Sequence, residues 1–186
     1  MSKVNPSIEI QNVVATLALD HRIDLDSITR IFPSAEYRPE QFPGLIFRLK
    51  KPKTATLIFG SGKMVCTGAR SKSQAAKALN RVISELKSRG IVITGTPKAK
   101  IENIVASANL YGSIDIEEAA ISLGKTMYEP EQFPGLIYRM DSPKVVILIF
   151  ASGKIVCAGA KSEEEIYTAI KNLQTKLESK KIIYYE

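Results

Sequence analysis

Side chains able to do acid–base, nucleophilic or metal chemistry are few in this chain and do not cluster. His21 is the single histidine, in a stretch that reads as a surface loop. Cys66 and Cys157 each sit inside a strand-like run with no second cysteine or histidine at ligand spacing, so they read as small reduced core residues. The acidic run Glu163–Glu165 follows Ser162 directly, where helix capping accounts for it. Catalysis needs acids, bases or ligands converging on one concavity. The expectation is therefore a protein that is not an enzyme and carries no metal or cofactor. What does recur at fixed spacing is binding chemistry. Phe42 and Phe59 lie 17 residues apart, as do Phe133 and Phe150; Asn12 and Asn103 each open an Asn-x-Val-Ala segment; and Arg48, Lys63 and Arg70 return as Arg139, Lys154 and Lys161.

The recurrence has one cause. Displacing the sequence by 91 residues lays Ile10–Ser71 on Ile101–Ser162 without a gap, and 23 of the 36 positions between residues 36 and 71 are then identical. A single long-period match of this kind is a duplicated half-domain and not a short-period solenoid. The expected division is residues 1–92 and 93–186, joined through Gly90, Gly95 and Pro97, with the two repeats forming one pseudo-two-fold domain.

Each half must supply elements that hold these residues. Residues 8–19 alternate as a strand, after which Asp24 can cap a short helix with Leu25, Ile28 and Ile31 on its apolar side. Strand-like segments follow at 44–50, 54–60 and 63–68, with Ser61 and Gly62 in a tight turn between the last two. A longer helix from about Ser71 to Lys87 puts Ala75, Leu79, Val82 and Leu86 on a buried stripe and leaves Lys72, Lys77, Arg81 and Lys87 wet. Its copy starts with Ser162-Glu163-Glu164-Glu165, the spacing of a capping box. Strand, helix, several strands, helix, twice over, is an α+β order with antiparallel pairing and helices on one face.

Strands of such a sheet ordinarily alternate apolar and polar, and these do not. If Ile58 and Cys66 face the helices, then Val14, Leu57, Phe59 and Val65, with Val105, Leu148, Phe150 and Val156, lie on the uncovered side. A contiguous exposed apolar face marks a binding surface. A second helical layer or an oligomer could cover it, but a basic set duplicated beside it points to phosphates. Formal charge agrees, at +7, with 15 Lys/Arg against 7 Asp/Glu in residues 1–95. The longest uncharged apolar run, Val145–Gly153, is far short of the roughly 20 residues of a membrane span, and no signal-peptide pattern opens the chain, so a soluble intracellular protein without membrane contact is expected.

The two Glu-Gln-Phe-Pro-Gly-Leu-Ile blocks at Glu40 and Glu131, the two Leu-Ile-Phe-x-Ser-Gly-Lys hairpins at Leu57 and Leu148, and the Asn-x-Val-Ala pair resemble the TATA-box-binding protein family from about Ile8 to Leu177. The resemblance implies a two-repeat saddle: one curved antiparallel sheet of about ten strands, five per repeat, with four helices on its convex face. It implies a general transcription factor that binds A·T-rich promoter DNA in the minor groove, kinks it, and nucleates assembly of the initiation complex. This family is itself a standard example of minor-groove kinking. Phe42, Phe59, Phe133 and Phe150 match its intercalating wedges, and Asn12 and Asn103 its central base contacts. Val14, Leu57, Val65, Val105, Leu148 and Val156 match the floor against the bases, where a guanine amino group would go unsatisfied. Thr67 matches a family hydrogen-bonding threonine, but its copy is Ala158, which puts symmetric readout in doubt. Arg48, Ser61, Lys63 and Arg70, with Arg139, Ser152, Lys154 and Lys161, match phosphate-contacting positions.

The implied partners are promoter duplex, transcription factor B and, through it, RNA polymerase, with Glu129 and Glu131 on the turn that receives the factor. A homodimer of the free protein through the uncovered face is a further expectation. High similarity between the halves and a short N-terminus look archaeal, which implies a cytoplasmic, nucleoid-associated protein; a eukaryotic source would make it nuclear. Two other readings stay open at this point. Aromatics on a basic sheet can also stack single-stranded bases, and the same saddle can serve as an accessory nucleic-acid-binding module without promoter function.

Overall fold

The structure is a computed structural model that describes residues 4–186; residues 1–3, at the start of the first expected repeat, lie outside the described residues. The chain forms two compact units. The leading unit is Asn12–Glu102, and the trailing unit combines, of the described residues, 4–11 with Asn103–Glu186.

In the leading unit, β1 (Ser7–Ala18, from Asn12 onward), β2 (Leu45–Lys50), β3 (Lys53–Ile58) and β4 (Lys63–Ala69) pair antiparallel in the order β2-β3-β4-β1. One face is sealed by α1 (Leu25–Ile31) and α2 (Lys72–Ser88). Asp24 caps α1 as expected, accepting from the Asp26 N–H at 3.1 Å. Leu25 and Ile28 are buried, whereas Ile31, the last residue of the helix, is only half-buried. The α2 stripe Ala75, Leu79, Val82 and Leu86 is wholly buried, joined by Ala78 and Ile83, and its lysines and arginine face solvent. Beneath α2 lie Met64, Cys66 and Ile58, all fully buried.

The trailing unit repeats the plan with β5 (Lys100–Asn109), α3 (Ile116–Ser122), β8 (Leu136–Asp141), β9 (Lys144–Ile149), β10 (Lys154–Ala160) and α4 (Glu163–Ser179). It adds a short outer strand, β7 (Thr126–Met127), giving the order β5-β10-β9-β8-β7. In the leading unit the counterpart of β7 shrinks to the single bridge Glu36↔Ile46, so nine strands stand in these ladders, among the described residues, where about ten are expected. A small extra ladder, β6 (Ser113–Ile114) with β11 (Ile183–Tyr184), closes the C-terminus. It is tied down by Tyr185, whose hydroxyl donates to Glu178 at 2.7 Å and accepts from Gln174 at 3.1 Å.

The capping box differs from expectation in one bond. Ser162 Oγ accepts from the Glu165 N–H at 3.1 Å, but the Glu165 carboxylate reaches the Lys161 N–H, one residue before the cap, at 2.8 Å. Gln74 does the same to the Arg70 N–H at 3.0 Å in α2. Either way an N–H that the helix cannot satisfy finds an acceptor. Both cysteines are free and buried, and burial pushes the Cys157 thiol up to about 12.

Candidate nucleic-acid interface

Strand register decides what shares the uncovered face. In the leading unit one cross-strand row runs Ile46–Leu57–Val65–Thr16 and the next runs Arg48–Ala55–Thr67. In the trailing unit the rows are Ile137–Leu148–Val156–Ser107 and Arg139–Val146–Ala158–Val105. The intervening residues of β1–β4, β5 and β8–β10 are buried on the helix side, while the apolar members of these rows are half-buried. Val14, Leu57, Phe59 and Val65, and Val105, Leu148, Phe150 and Val156, therefore lie on the open side. Periodicity did not pick out Ile46, Ile137 or Val146, which only the strand pairing brings onto this face.

At the edge of each face stands a turn built around a phenylalanine. The N–H groups of Gln41 and Phe42 both donate to Arg38 O, at 3.0 and 2.9 Å, and those of Gln132 and Phe133 both donate to Glu129 O at the same distances. This lifts Phe42 and Phe133 out of the core, 41% and 38% exposed. Each ring leans edge-on against the next, with centroids 5.9 Å apart for Phe42–Phe59 and 5.8 Å for Phe133–Phe150. Glycine makes the approach feasible: a Cβ on Gly44 or Gly135 would stand 2.7 Å from the Phe42 or Phe133 ring. A half-exposed aromatic pair of one geometry, made twice, is a feature that folding alone does not require.

Asn12 and Asn103 are each clamped by one backbone bond. Gly68 N–H donates to Asn12 Oδ1 at 2.8 Å, and Gly159 N–H to Asn103 Oδ1 at 2.7 Å. Since a backbone N–H can only donate, the oxygen of each amide is fixed and the NH₂ group is the outward end. Gly68 and Gly159 have φ of 97° and 98°, where other residues are strained, next to register shifts in the two ladders. Nearby polar residues escaped notice in the sequence: Gln11 donates to Ser107 at 2.9 Å and Thr16 to Glu102 at 3.0 Å.

The charged rim is less symmetric than the sequence. Arg48 pairs with Glu36 at 3.3 Å, but Met127 holds the place of Glu36 in the trailing unit and Arg139 has no such partner among the described residues. Arg139 instead borders a groove of about 590 Å³ with Lys125, Lys144 and Lys161, where Lys125 bonds Asp141 at 2.8 Å. That bond holds the Asp141 carboxyl below its usual value. Lys63 and Lys154 are exposed beyond the hairpins, whose Ser61 and Ser152 hydroxyls accept from their N–H groups at 3.4 Å. Arg70 and Lys161 are exposed at the starts of α2 and α4, and Glu129 and Glu131 on the trailing turn. Among the described residues no group of three or more His, Cys, Asp or Glu is placed to hold a metal ion, and no helix is long and apolar enough to cross a membrane.

A profile of the family described as Transcription factor TFIID (or TATA-binding protein, TBP) matches residues 7–89 and again 98–180, once per repeat. The chain is 50% identical over 186 residues to the TATA-box-binding protein of Pyrobaculum calidifontis, covering all of this chain and 94% of that one. It is 55% identical over 170 residues to that of Sulfolobus acidocaldarius, covering 91% and 86%. A solved structure of Methanococcus jannaschii TBP aligns with a TM-score of 0.85 at 48% identity, over 93% of this chain and 99% of that one. The α+β fold read from the sequence is the fold of that structure. The chain belongs to the TATA-box-binding protein family, a family of non-enzymatic DNA-binding transcription factors, and its relatives here are archaeal.

Proposed function

We propose that the open faces of repeats 1–92 and 93–186 each bind the minor groove of A·T-rich promoter DNA and kink it. The observation that carries this reading is the twice-built face: apolar rows, an edge-on phenylalanine pair at one end, and cations at the rim. Phe42 and Phe133, with Phe59 and Phe150 behind them, replace stacking lost at two opened base steps, each of which costs a few kcal/mol to unstack. Asn12 and Asn103 donate to the A N3 and T O2 acceptors. Val14, Leu57 and Val65, with Val105, Leu148, Val156 and Ala158, press on the groove floor and disfavour guanine, whose amino group has no counterpart in A·T pairs, while Thr67 meets the bases with a hydroxyl. Arg48, Ser61, Lys63 and Arg70, and Arg139, Ser152, Lys154 and Lys161, take the phosphates.

With the DNA bent, the Glu129–Glu131 turn then seats transcription factor B, which recruits RNA polymerase and begins the initiation complex. The protein works in an archaeal cytoplasm on the nucleoid, and when free it can pair with a second copy through the same face. A gel shift comparing an A·T box with a G·C-substituted copy, and with either single strand, tests the reading. Tight binding to the A·T duplex alone is expected; preference for a single strand overturns it.

A further inference from the structure

The two central clusters differ in a single acceptor. In the leading unit Asn12 Nδ2 donates to Thr67 Oγ1 at 3.1 Å, and Thr67 lies 3.4 Å from Asn12 Oδ1. A hydroxyl has two acceptor sites, so after taking the Asn12 proton Thr67 Oγ1 still has one lone pair on the open face. In the trailing unit Ala158 occupies that register position, opposite Val105 and Val146, and offers only a methyl group. Asn103 there accepts from Gly159 N–H, and its NH₂ has no partner among the described residues. One half thus has a donor and an acceptor, the other has donors only.

We infer that Thr67 and Ala158 make this chain read base pairs with a built-in direction: the Thr67 side tolerates a guanine amino group, and the Ala158 side rejects it. The inference rests on the minor-groove reading above. Guanine N2–H₂ is a donor where A·T pairs present none. Against Thr67 it finds the spare lone pair. Against Ala158 and the Asn103 NH₂ it meets a methyl group and another donor, and a buried donor without a partner is penalised. On a palindromic box the two orientations of a pseudo-two-fold protein are nearly equivalent. A single G·C pair beside the centre breaks that equivalence and turns the protein so that Thr67 lies over it.

Orientation is measurable because Cys66 and Cys157 are fully buried, which leaves an introduced S73C on α2 as the one reactive thiol to label. Energy transfer from that dye to a dye on one DNA end gives the ratio of the two orientations. Moving from a palindromic A·T box to one with a single off-centre G·C pair should shift the ratio about fivefold or more, the size of one satisfied against one unsatisfied hydrogen bond. Ala158→Thr, which restores the acceptor, and Thr67→Ala, which removes it, should each bring the shift to within about twofold of none. The ratio of orientations is read within the bound population of each variant, so it does not depend on any change in affinity that the substitution brings. Wild-type protein that binds both boxes without any shift, or a shift that survives in both variants, overturns the inference and leaves the promoter reading standing. Failure of wild-type protein to bind even the uninterrupted box overturns both.

Discussion

At the scale of single residues, the phenylalanine turns and the rim arginines carry the most weight. Phe42 and Phe133 stand out of the core on turns whose hydrogen bonds are all main-chain, so truncation removes a ring and little structure. Phe42→Ala or Phe133→Ala is expected to lower both bend angle and affinity while thermal stability changes by less than about 1 kcal/mol, the range of surface substitutions. Energy transfer across the bound duplex reads the bend, and a wild-type bend would remove these rings from the wedge role. Arg48 and Arg139 are alike in sequence but unlike in place. Arg139→Ala should flatten the dependence of log affinity on log salt by about one unit, one phosphate contact's worth. Arg48→Ala should flatten it less, because Glu36 already neutralises part of that charge. Equal slopes for the two variants would show that the ion pair has no effect on DNA binding. The sequence alone hid this difference, since Glu36 and Arg48 are brought together only by the bridge that stands in for β7.

At the scale of elements, the duplication made most of the fold legible, because each noisy periodicity signal was available twice. The long helices, their serine caps and the hairpin ladders fell within a residue or two of expectation. Two-residue strands such as β6, β7 and β11 escaped, having too few residues to show a period; only tertiary contacts define them. Core composition under α2 also emerged only from register. Thr56 is fully buried with no hydrogen-bond partner for its Oγ1 among the described residues and with the soft Cys66 thiol beside it, whereas the trailing unit has Ile147 at that place. Leaving a hydroxyl unsatisfied in a core costs about 1–3 kcal/mol. Thr56→Val, near in shape, should therefore stabilise the protein by about 1 kcal/mol and raise Tm by roughly 2–4 °C. A Tm at or below wild type by calorimetry would mean that the hydroxyl is satisfied in solution.

For the whole molecule, the halves match closely in fold and less closely in charge. Arg38 and Glu40 on the leading turn become Glu129 and Glu131 on the trailing one, in otherwise matching blocks. Both carboxylates are exposed, and the turn is held by backbone bonds to Glu129 O, so exchanging the side chains should spare the turn itself. Charge of one sign on one turn sets partner choice and encounter rate more than affinity. The double variant Glu129→Arg, Glu131→Arg should bind the A·T box as wild type does and fail to form the ternary complex with transcription factor B. A gel shift with full recruitment would send the search for the factor's contact elsewhere.

The central claim is that the open face of each repeat binds A·T duplex by deforming it, and it is tested most directly by affinity and end-to-end energy transfer measured together on one labelled promoter duplex. Wild-type protein should bring the DNA ends closer on the A·T box, and replacing that box by G·C pairs should abolish bend and tight binding alike. Tight binding with straight DNA, or equal bending of both duplexes, would contradict the account.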